Sequence, residues 1–297
     1  MSSPRLLSGP QLISGLAEIA PGHDALICDV WGVIHDGARH HAAAAEALAH
    51  FRRHHGPVIL LTNAPRTPAE VAVQCAGYGV PPDCYDAIVS SGGAARAELE
   101  RRVAGRAAPL PLYYIGPERD LPMLDGLDVT RAGIEDAQVA LAIGLVDGMT
   151  ETPADYAGRL AAMRARDMVM LCANPDLVVH RGPHMVYCAG ALARNYEALG
   201  GKVVYYGKPY RLVYEAALAA AAVAAEAAGR PRPENPLAVG DGLVTDVKGA
   251  NGAGLPVLFI ADGIHGEEIA PYTAEHMGEL LGRYGARADW AVRVLVW

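Results

Sequence analysis

The chain has 297 residues, of which 52% are hydrophobic and 20% are charged. This composition supports a well-packed core and excludes an intrinsically disordered protein. The net charge of −8 disfavours a general nucleic-acid-binding protein, because such proteins usually present a basic face. It leaves room for a small anionic substrate, since a local site can be positive on an acidic protein.

The expected location is the cytoplasm. Five cysteines are scattered along the chain without a CxxC pair, a pattern that is typical of reduced thiols. The first ten residues lack the apolar run of a secretory leader. The alanine-rich run at residues 216–225 is too short and too weakly hydrophobic to span a bilayer, so no membrane partner is expected.

Short apolar runs alternate with alanine-rich helical stretches in the first and last thirds of the chain. The predicted strands are residues 25–28, 58–61, 87–89, 203–206, 237–239 and 257–260. The predicted helices are residues 41–55, 68–78, 210–228 and 246–253. Strands that alternate with helices indicate an α/β fold, with a Rossmann-like parallel sheet covered by helices on both faces.

The middle of the chain predicts a second, smaller α/β layer. Its strands are expected at residues 112–115, 139–143 and 168–172, with a helix at 153–165. A Ser-Ser-Gly-Gly turn at residues 90–93 and the pair Gly200-Gly201 mark its borders. We therefore expect a core of residues 1–91 and 201–297, with residues 92–200 inserted as a separate domain.

Four short motifs follow predicted core strands. They are DVWG at residues 29–32, Thr62-Asn63, GKP at 207–209 and GDGLVTD at 240–246. In a parallel α/β sheet, ligands bind beyond the carboxyl ends of the strands. The four motifs are therefore expected to converge on one site.

The residue types in these motifs suit phosphoryl transfer. Asp29 is a candidate nucleophile that could form an aspartyl-phosphate. Asp241 could complete an Mg²⁺ site with Asp29, because Mg²⁺ prefers carboxylate, carbonyl and water oxygens. Thr62 and Lys208 could donate to phosphate oxygens, and the cation would reduce repulsion between an anionic substrate and the two aspartates.

In this order, the motifs resemble the haloacid dehalogenase (HAD) superfamily of Asp-nucleophile, Mg²⁺-dependent hydrolases. GKP after a strand and GDxxxTD are similar to its class IIA branch, which includes nitrophenyl, pyridoxal and sugar-phosphate phosphatases. The long segment between Thr62 and Lys208 has room for the α/β cap of class IIA (C2a type), and IGP at 115–117 and ANPD at 173–176 match that cap. The resemblance implies a small phosphorylated metabolite as substrate and, as in many relatives, a homodimer formed through the cap.

The resemblance also assigns a role to each motif residue. Asp29 matches the nucleophile, and Thr62 and Lys208 match the positions that hold the phosphate. Asp241 matches the metal carboxylate, and Asp246 matches the supporting acid of the same loop.

Several further positions are weaker candidates. Asn63, which follows Thr62, and Arg66 are expected to contact substrate, although an exposed surface charge explains Arg66 equally well. Arg181 and His184, in the inserted domain, are weaker still.

Trp31 departs from the family pattern. In the family, the residue two after the nucleophile gives its backbone carbonyl to Mg²⁺, and Trp31 can still do so. That residue is normally an aspartate whose side chain protonates the leaving group and later activates water, which an indole cannot do. Three interpretations stay open: a packing residue in a working phosphatase, a lost activity, or different chemistry. Dehalogenases also carry an aromatic residue there, but they place their cap between the first and second motifs.

The sequence therefore predicts an Mg²⁺-dependent phosphatase that acts on a small phosphomonoester through an aspartyl-phosphate. Losing a positioned acid/base typically costs about 10²–10⁴-fold in rate, and aryl or acyl phosphates would be affected least because their leaving groups need little protonation. One alternative is a catalytically weak phosphate-binding or regulatory protein. Another is a hydrolase of a non-phosphate substrate that forms an aspartyl ester without Mg²⁺.

Overall fold

The structure, a computed structural model, describes residues 9–181 and 184–297, with no side-chain description at residues 180, 181 and 184. The first eight residues, where no leader is expected, and the side chains of Arg181 and His184 thus lie outside the described residues. The chain divides into two compact units. The first contains the chain up to Thr62 with Ala72–Val89 and Lys208–Trp297, and the second contains Asn63–Val71 and Ser90–Gly207.

Fourteen strands and eight α-helices lie within the described ranges. The strands are β1 (Gln11–Leu12), β2 (Ala25–Asp29), β3 (Val58–Thr62), β4 (Ala87–Ser90), β5 (Leu110–Ile115), β6 (Val129–Arg131), β7 (Val139–Ala142), β8 (Val169–Cys172), β9 (Val178–Arg181), β10 (His184–Tyr187), β11 (Lys202–Tyr205), β12 (Pro236–Gly240), β13 (Val257–Ile260) and β14 (Trp290–Val292). The α-helices are α1 (Ala42–His54), α2 (Pro68–Gly77), α3 (Ser91–Val103), α4 (Ala157–Ala165), α5 (Ala189–Ala198), α6 (Arg211–Ala227), α7 (Lys248–Ala253) and α8 (Ala274–Arg283).

The first unit is built on a seven-stranded sheet with the order β1-β14-β13-β12-β2-β3-β4. Its central strands β12, β2 and β3 pair in parallel and are buried at every position. Such strands need cover on both faces, and α6 supplies part of it by packing on β2 and β3 with Val213, Tyr214 and Ala217 in the core. The centre of the sheet is thus a rigid base for the residues that follow these strands.

The second unit has a five-stranded parallel sheet with the order β11-β8-β7-β5-β6. Successive side chains of β7 pack alternately into two different hydrophobic clusters. Ala140 and Ala142 pack in one cluster with residues of α4 and α5, whereas Val139 and Leu141 pack in another with residues of α3. The sheet is therefore covered on both faces, and β9 and β10 form a separate antiparallel pair.

The predicted α/β class with a parallel sheet is confirmed, but one strand was placed in the wrong sheet. Residues 203–206 were expected in the first sheet. They overlap β11, which pairs with β8 of the second unit, with Val203 opposite Met170. A short apolar run predicts a strand, but it does not say which of two parallel sheets will accept it.

No helix in the described part of the chain combines the length and apolar character needed to cross a membrane. All five cysteines are buried, and no disulfide joins them within the described residues.

Candidate active site

Three neighbouring strands bring predicted site residues to one edge of the first sheet. β2 ends at Asp29, and β3, beside it, ends at Thr62. β12 lies on the other side of β2 and is followed directly by Asp241. Because the strands are parallel and their ends are nearly level, the three side chains lie at the carboxyl edge of the sheet, where α/β proteins bind ligands.

A buried lysine joins two carboxylates at this edge. Lys208, with which the chain returns to the first unit, is only 3% exposed. Its Nζ donates to Asp29 Oδ1 at 2.5 Å and to Asp246 Oδ1 at 2.7 Å. The ammonium offsets the repulsion between the two carboxylates, and these charge-assisted hydrogen bonds hold both side chains in place.

Asp246 uses both of its oxygens to maintain this arrangement. It lies in a single π-helical turn (Leu243–Val247) that leads into α7. Its other oxygen, Oδ2, accepts from Gly242 N at 3.1 Å and from Thr245 Oγ1 at 3.2 Å. These contacts suit a supporting acid better than a direct metal ligand.

Asp29 and Asp241 each keep one oxygen available. Asp29 Oδ1 accepts from Lys208 and from the next backbone N–H, and Asp241 Oδ2 accepts from Ile264 N at 2.9 Å. In the described part of the chain, no group donates to Asp29 Oδ2 or to Asp241 Oδ1. Asp29, Asp241 and Asp246 each place a carboxylate oxygen within 4.8 Å of the others.

Burial raises the pKa of Asp29, Asp241 and Asp246 from 3.8 to about 6 in each case. Repulsion within the group adds to these rises, and the charge of Lys208 opposes them. Burial alone would lower the pKa of Lys208, but Asp246 and Asp29 raise it well above its usual value. The lysine therefore stays charged, whereas each carboxyl group is about half protonated at about pH 6.

This group fits a divalent cation. When all are ionised, three carboxylates and one ammonium leave two negative charges in a buried space, which one divalent ion would neutralise. The available oxygens of Asp29 and Asp241 are the hard ligands that Mg²⁺ and Ca²⁺ prefer. Among residues 9–181 and 184–297, these carboxylates form the only group of three or more side chains that could share an ion.

The turn after Asp29 lies against Asp241. Gly32 has a φ of +84°, in the left-handed region that favours glycine, and a Cβ atom there would collide with Asp241 Oδ2. Its N–H donates to His35 O at 2.8 Å, which closes the turn. Trp31 is thus held between the predicted nucleophile and a glycine in contact with the predicted metal carboxylate.

A second turn, which sequence reasoning missed, also holds Asp241. It follows β13, the strand next to β12. Gly263 lies so close to the Asp241 carboxylate that a Cβ atom would collide with it, and Ile264 N donates to Asp241 Oδ2. Backbone atoms of this turn therefore fix the Asp241 carboxylate. Apart from the glycine, the amino-acid sequence gives no sign of such backbone contacts.

His265, the next residue of that turn, supports the neighbouring loop. Its Nε2 lies 3.4 Å from Leu243 N, and its Nδ1 lies 2.8 Å from Glu268 Oε1. The tautomer that satisfies both contacts has its proton on Nδ1, which donates to Glu268, while Nε2 accepts from Leu243. Leu243 begins the π-helical turn that contains Asp246. The sequence signal, a His-x-x-Glu spacing, is too common to identify this role.

The remaining predicted substrate-binding residues belong to the second unit. Asn63 Nδ2 donates to Asp176 Oδ1, in the ANPD phrase, at 2.8 Å. Arg66 is partly buried, and its backbone carbonyl accepts from Ser90 Oγ at 2.6 Å. The structure thus describes Asn63 and Arg66 as part of the second unit.

Replacing Asp241 by Asn is expected to stabilise the metal-free protein. The folded state binds protons with pKa values of about 6 at carboxyl groups whose ordinary value is 3.8. Their contribution to the free energy of unfolding therefore decreases as the pH rises from about 4 to about 6. Removing one buried charge should increase this free energy by on the order of 1–3 kcal/mol above about pH 7, measured by thermal unfolding in EDTA.

The pH dependence provides the check. The gain of Asp241→Asn should shrink toward about pH 4, where the wild-type carboxyl groups are protonated, and Mg²⁺ should raise the melting temperature of the wild type only. Asp128→Asn, at an exposed carboxyl of the second unit, is the matched control. Equal melting temperatures for wild type and Asp241→Asn in EDTA near neutral pH would contradict the charge argument.

Removing the His265 side chain should weaken the binding of divalent cations. His265→Ala leaves the Leu243 N–H without this acceptor and loosens the loop between Asp241 and Asp246, so we expect about 10-fold weaker binding. His265→Gln should lose less affinity for the cation, because its amide oxygen can still accept a hydrogen bond from Leu243 N. Calorimetric titration with Mg²⁺ measures the affinity, with exposed His54→Gln as control. Unchanged affinity in His265→Ala would show that the histidine does not support the metal loop.

Models of haloacid dehalogenase-like hydrolases match two parts of the chain. A model of this description matches residues 26–130, which include Asp29 and Thr62. A HAD-hydrolase-like model matches residues 205–281, which include Lys208, Asp241 and Asp246.

Two relatives with similar sequences are phosphatases. The D-glycerol 3-phosphate phosphatase of Mycobacterium tuberculosis is 30% identical over 263 residues, which are 86% of this chain and 68% of that protein. The ribonucleotide monophosphatase NagD of Escherichia coli K12 is 27% identical over 242 residues, which are 80% of this chain and 88% of that protein.

Solved structures extend the similarity to nearly the whole chain. A haloacid dehalogenase-like hydrolase from Brucella suis is 37% identical, with a TM-score of 0.80, and the match covers 96% of this chain and 100% of that one. A glycerol phosphate phosphatase of M. tuberculosis in complex with magnesium shares the fold at 22% identity and a TM-score of 0.59, over 86% of this chain and 74% of that one. The predicted family is confirmed: the chain belongs to the haloacid dehalogenase-like hydrolases, in their class IIA branch.

Proposed function

We propose that this hydrolase is an Mg²⁺-dependent phosphatase that cleaves a small phosphomonoester through an aspartyl-phosphate on Asp29. The observation that carries the proposal is the buried Lys208, which bridges Asp29 and Asp246 beside the available oxygens of Asp29 and Asp241. The phosphatase names of two relatives support the reaction class. The five cysteines are buried and form no disulfide within the described residues, which supports a reducing compartment such as the cytoplasm.

Asp29 is the nucleophile in this proposal. One oxygen of its carboxylate attacks phosphorus, and the bond from phosphorus to the leaving-group oxygen breaks as the new P–O bond forms. The other oxygen is kept for the metal, and the hydrogen bond from Lys208 to Oδ1 fixes the rotamer of the carboxylate. With a pKa of about 6, Asp29 is mostly ionised at neutral pH, as a nucleophile must be.

The second half of the reaction releases phosphate. Water attacks phosphorus, the bond between phosphorus and the Asp29 oxygen breaks, the protons of the water leave with the phosphate, and the carboxylate is restored. Thr62, at the end of β3, and Lys208 are proposed to donate to phosphate oxygens. Asn63 and Arg66 are proposed to contact the rest of the substrate.

The proposed metal ligands are the carboxylates of Asp29 and Asp241 and the backbone carbonyl of Trp31. Bound Mg²⁺ would supply charge stabilisation for the phosphoryl oxygens. Asp246 supports this set through Lys208 and through its own loop. The magnesium complex of the M. tuberculosis phosphatase supports Mg²⁺ as the ion.

Replacing Asp29 by Asn should reduce hydrolysis of p-nitrophenyl phosphate in Mg²⁺ by at least about 10³-fold, because the amide cannot form the intermediate. Release of nitrophenolate measures the rate, and Asp128→Asn, at an exposed carboxyl, should keep wild-type activity. Equal activity in wild type and Asp29→Asn would refute the mechanism. Saturable, Mg²⁺-dependent phosphate binding with no turnover in the wild type would instead identify a binding or regulatory protein.

Replacing Trp31 by Asp tests whether the missing acid/base limits the rate. The new carboxyl group should raise turnover of alkyl phosphates by up to about 10²-fold, and that of aryl phosphates much less, because alkoxide leaving groups need a proton most. Steady-state kinetics on glycerol phosphate and p-nitrophenyl phosphate measure the difference. No gain on the alkyl substrate, with Mg²⁺ affinity unchanged, would show that Trp31 does not simply stand in for the acid.

A further inference from the structure

The side chain of Trp31 is exposed to solvent, although its neighbours in the loop are buried. Its neighbours Val30, Val33, Ile34 and His35 are at most 4% exposed, whereas Trp31 is 44% exposed. An indole normally buries most of its large apolar surface when packing allows it. The loop therefore holds its backbone rigidly while leaving much of this ring in contact with solvent.

The other two tryptophans have ring partners. Trp290 packs edge-on against His23, with ring centroids 5.4 Å apart, and Trp297 lies 3.9 Å from His50. Within the described residues, Trp31 has neither a ring neighbour nor a cation over its face. Its indole thus offers a π surface that the protein itself does not use.

The indole belongs to the loop that follows the proposed nucleophile. Trp31 lies two residues after Asp29 and directly before Gly32, which touches the Asp241 carboxylate. The indole Nε1 is close to Gly37, so the Gly37 turn supports that edge of the ring. A half-exposed aromatic ring therefore belongs to the loop that runs from Asp29 to the glycine beside the Asp241 carboxylate.

We infer that the Trp31 indole stacks on a planar, aromatic leaving group, and that the substrate is an aryl phosphomonoester. The inference rests on the proposed phosphatase function and names its substrate class. Two separate properties of the indole side chain favour the same class of substrate. It cannot donate a proton to the leaving group, which favours a leaving group that departs as a stable anion, and its face binds flat π systems. Phenolate-type leaving groups meet both requirements.

Binding of non-hydrolysable phosphonates isolates the stacking contribution from the chemistry. Phenylphosphonate and cyclohexylphosphonate carry similar groups, but only the first is aromatic. With Mg²⁺ present, calorimetry on the wild type should show phenylphosphonate binding about 2- to 10-fold more tightly. Trp31→Phe should keep most of this preference, whereas Trp31→Leu, which is apolar but not aromatic, should lose it. Melting temperatures confirm that each variant is folded.

A kinetic comparison separates the inference from the proposed function. Phenyl phosphate and hexafluoroisopropyl phosphate have leaving groups of similar acidity, so a higher kcat/KM for phenyl phosphate that disappears in Trp31→Leu reports stacking. A wild type without aromatic preference, or a preference that survives in Trp31→Leu, overturns the inference. If the wild type still hydrolyses both esters in that case and Asp29→Asn does not, the proposed phosphatase function is retained. Absence of both phosphonate binding and Asp29-dependent hydrolysis overturns both proposals.

Discussion

The candidate site depends on the two hydrogen-bonded ion pairs that Lys208 makes with Asp29 and Asp246. Three carboxylates whose oxygens lie within 4.8 Å of one another in a buried space would otherwise repel strongly. Breaking a buried pair typically costs about 3–5 kcal/mol, because the remaining charge is left uncompensated. The lysine therefore positions the proposed nucleophile and favours its ionised form against the effect of burial, and the raised pKa of Lys208 keeps the lysine charged.

The same arrangement lowers the stability of the metal-free fold and prepares it for ligands. Lys208 balances only one of three buried carboxylates, and the raised pKa values of all three show that the protein disfavours their ionisation. Backbone contacts hold them together nevertheless: Gly32 and Gly263 leave no room for Asp241 to move toward them, and Ile264 donates to it. Because the ligands are already in place, binding a cation requires little reorganisation, which is the preorganisation that charge-stabilising sites need.

Much of this could be predicted from the sequence, because apolar strands followed by Asp29, Thr62 and Asp241 specify both a parallel sheet and its functional edge. Other features could not. The sheet that accepts β11 depends on long-range pairing, and its apolar run suits either sheet equally well. The support from Ile264 comes from a backbone N–H that any residue could supply, and the role of His265 depends on a loop that only folding brings beside it. Local pattern therefore indicates the candidate reacting groups, whereas only tertiary contacts show what holds them in place.

Trp31 shows why backbone and side chain must be considered separately at such a site. The turn that includes Gly32 constrains the Trp31 backbone next to Asp29 and Asp241, whatever the side chain is, so an indole is compatible with the metal-binding geometry. The side chain is exposed, and its effect follows from the proposed reaction. An aspartate there would supply protons and make the proposed phosphatase tolerant of basic leaving groups. An indole supplies no proton but adds a π surface, so on this proposal it would narrow the range of substrates while leaving Asp29 in place.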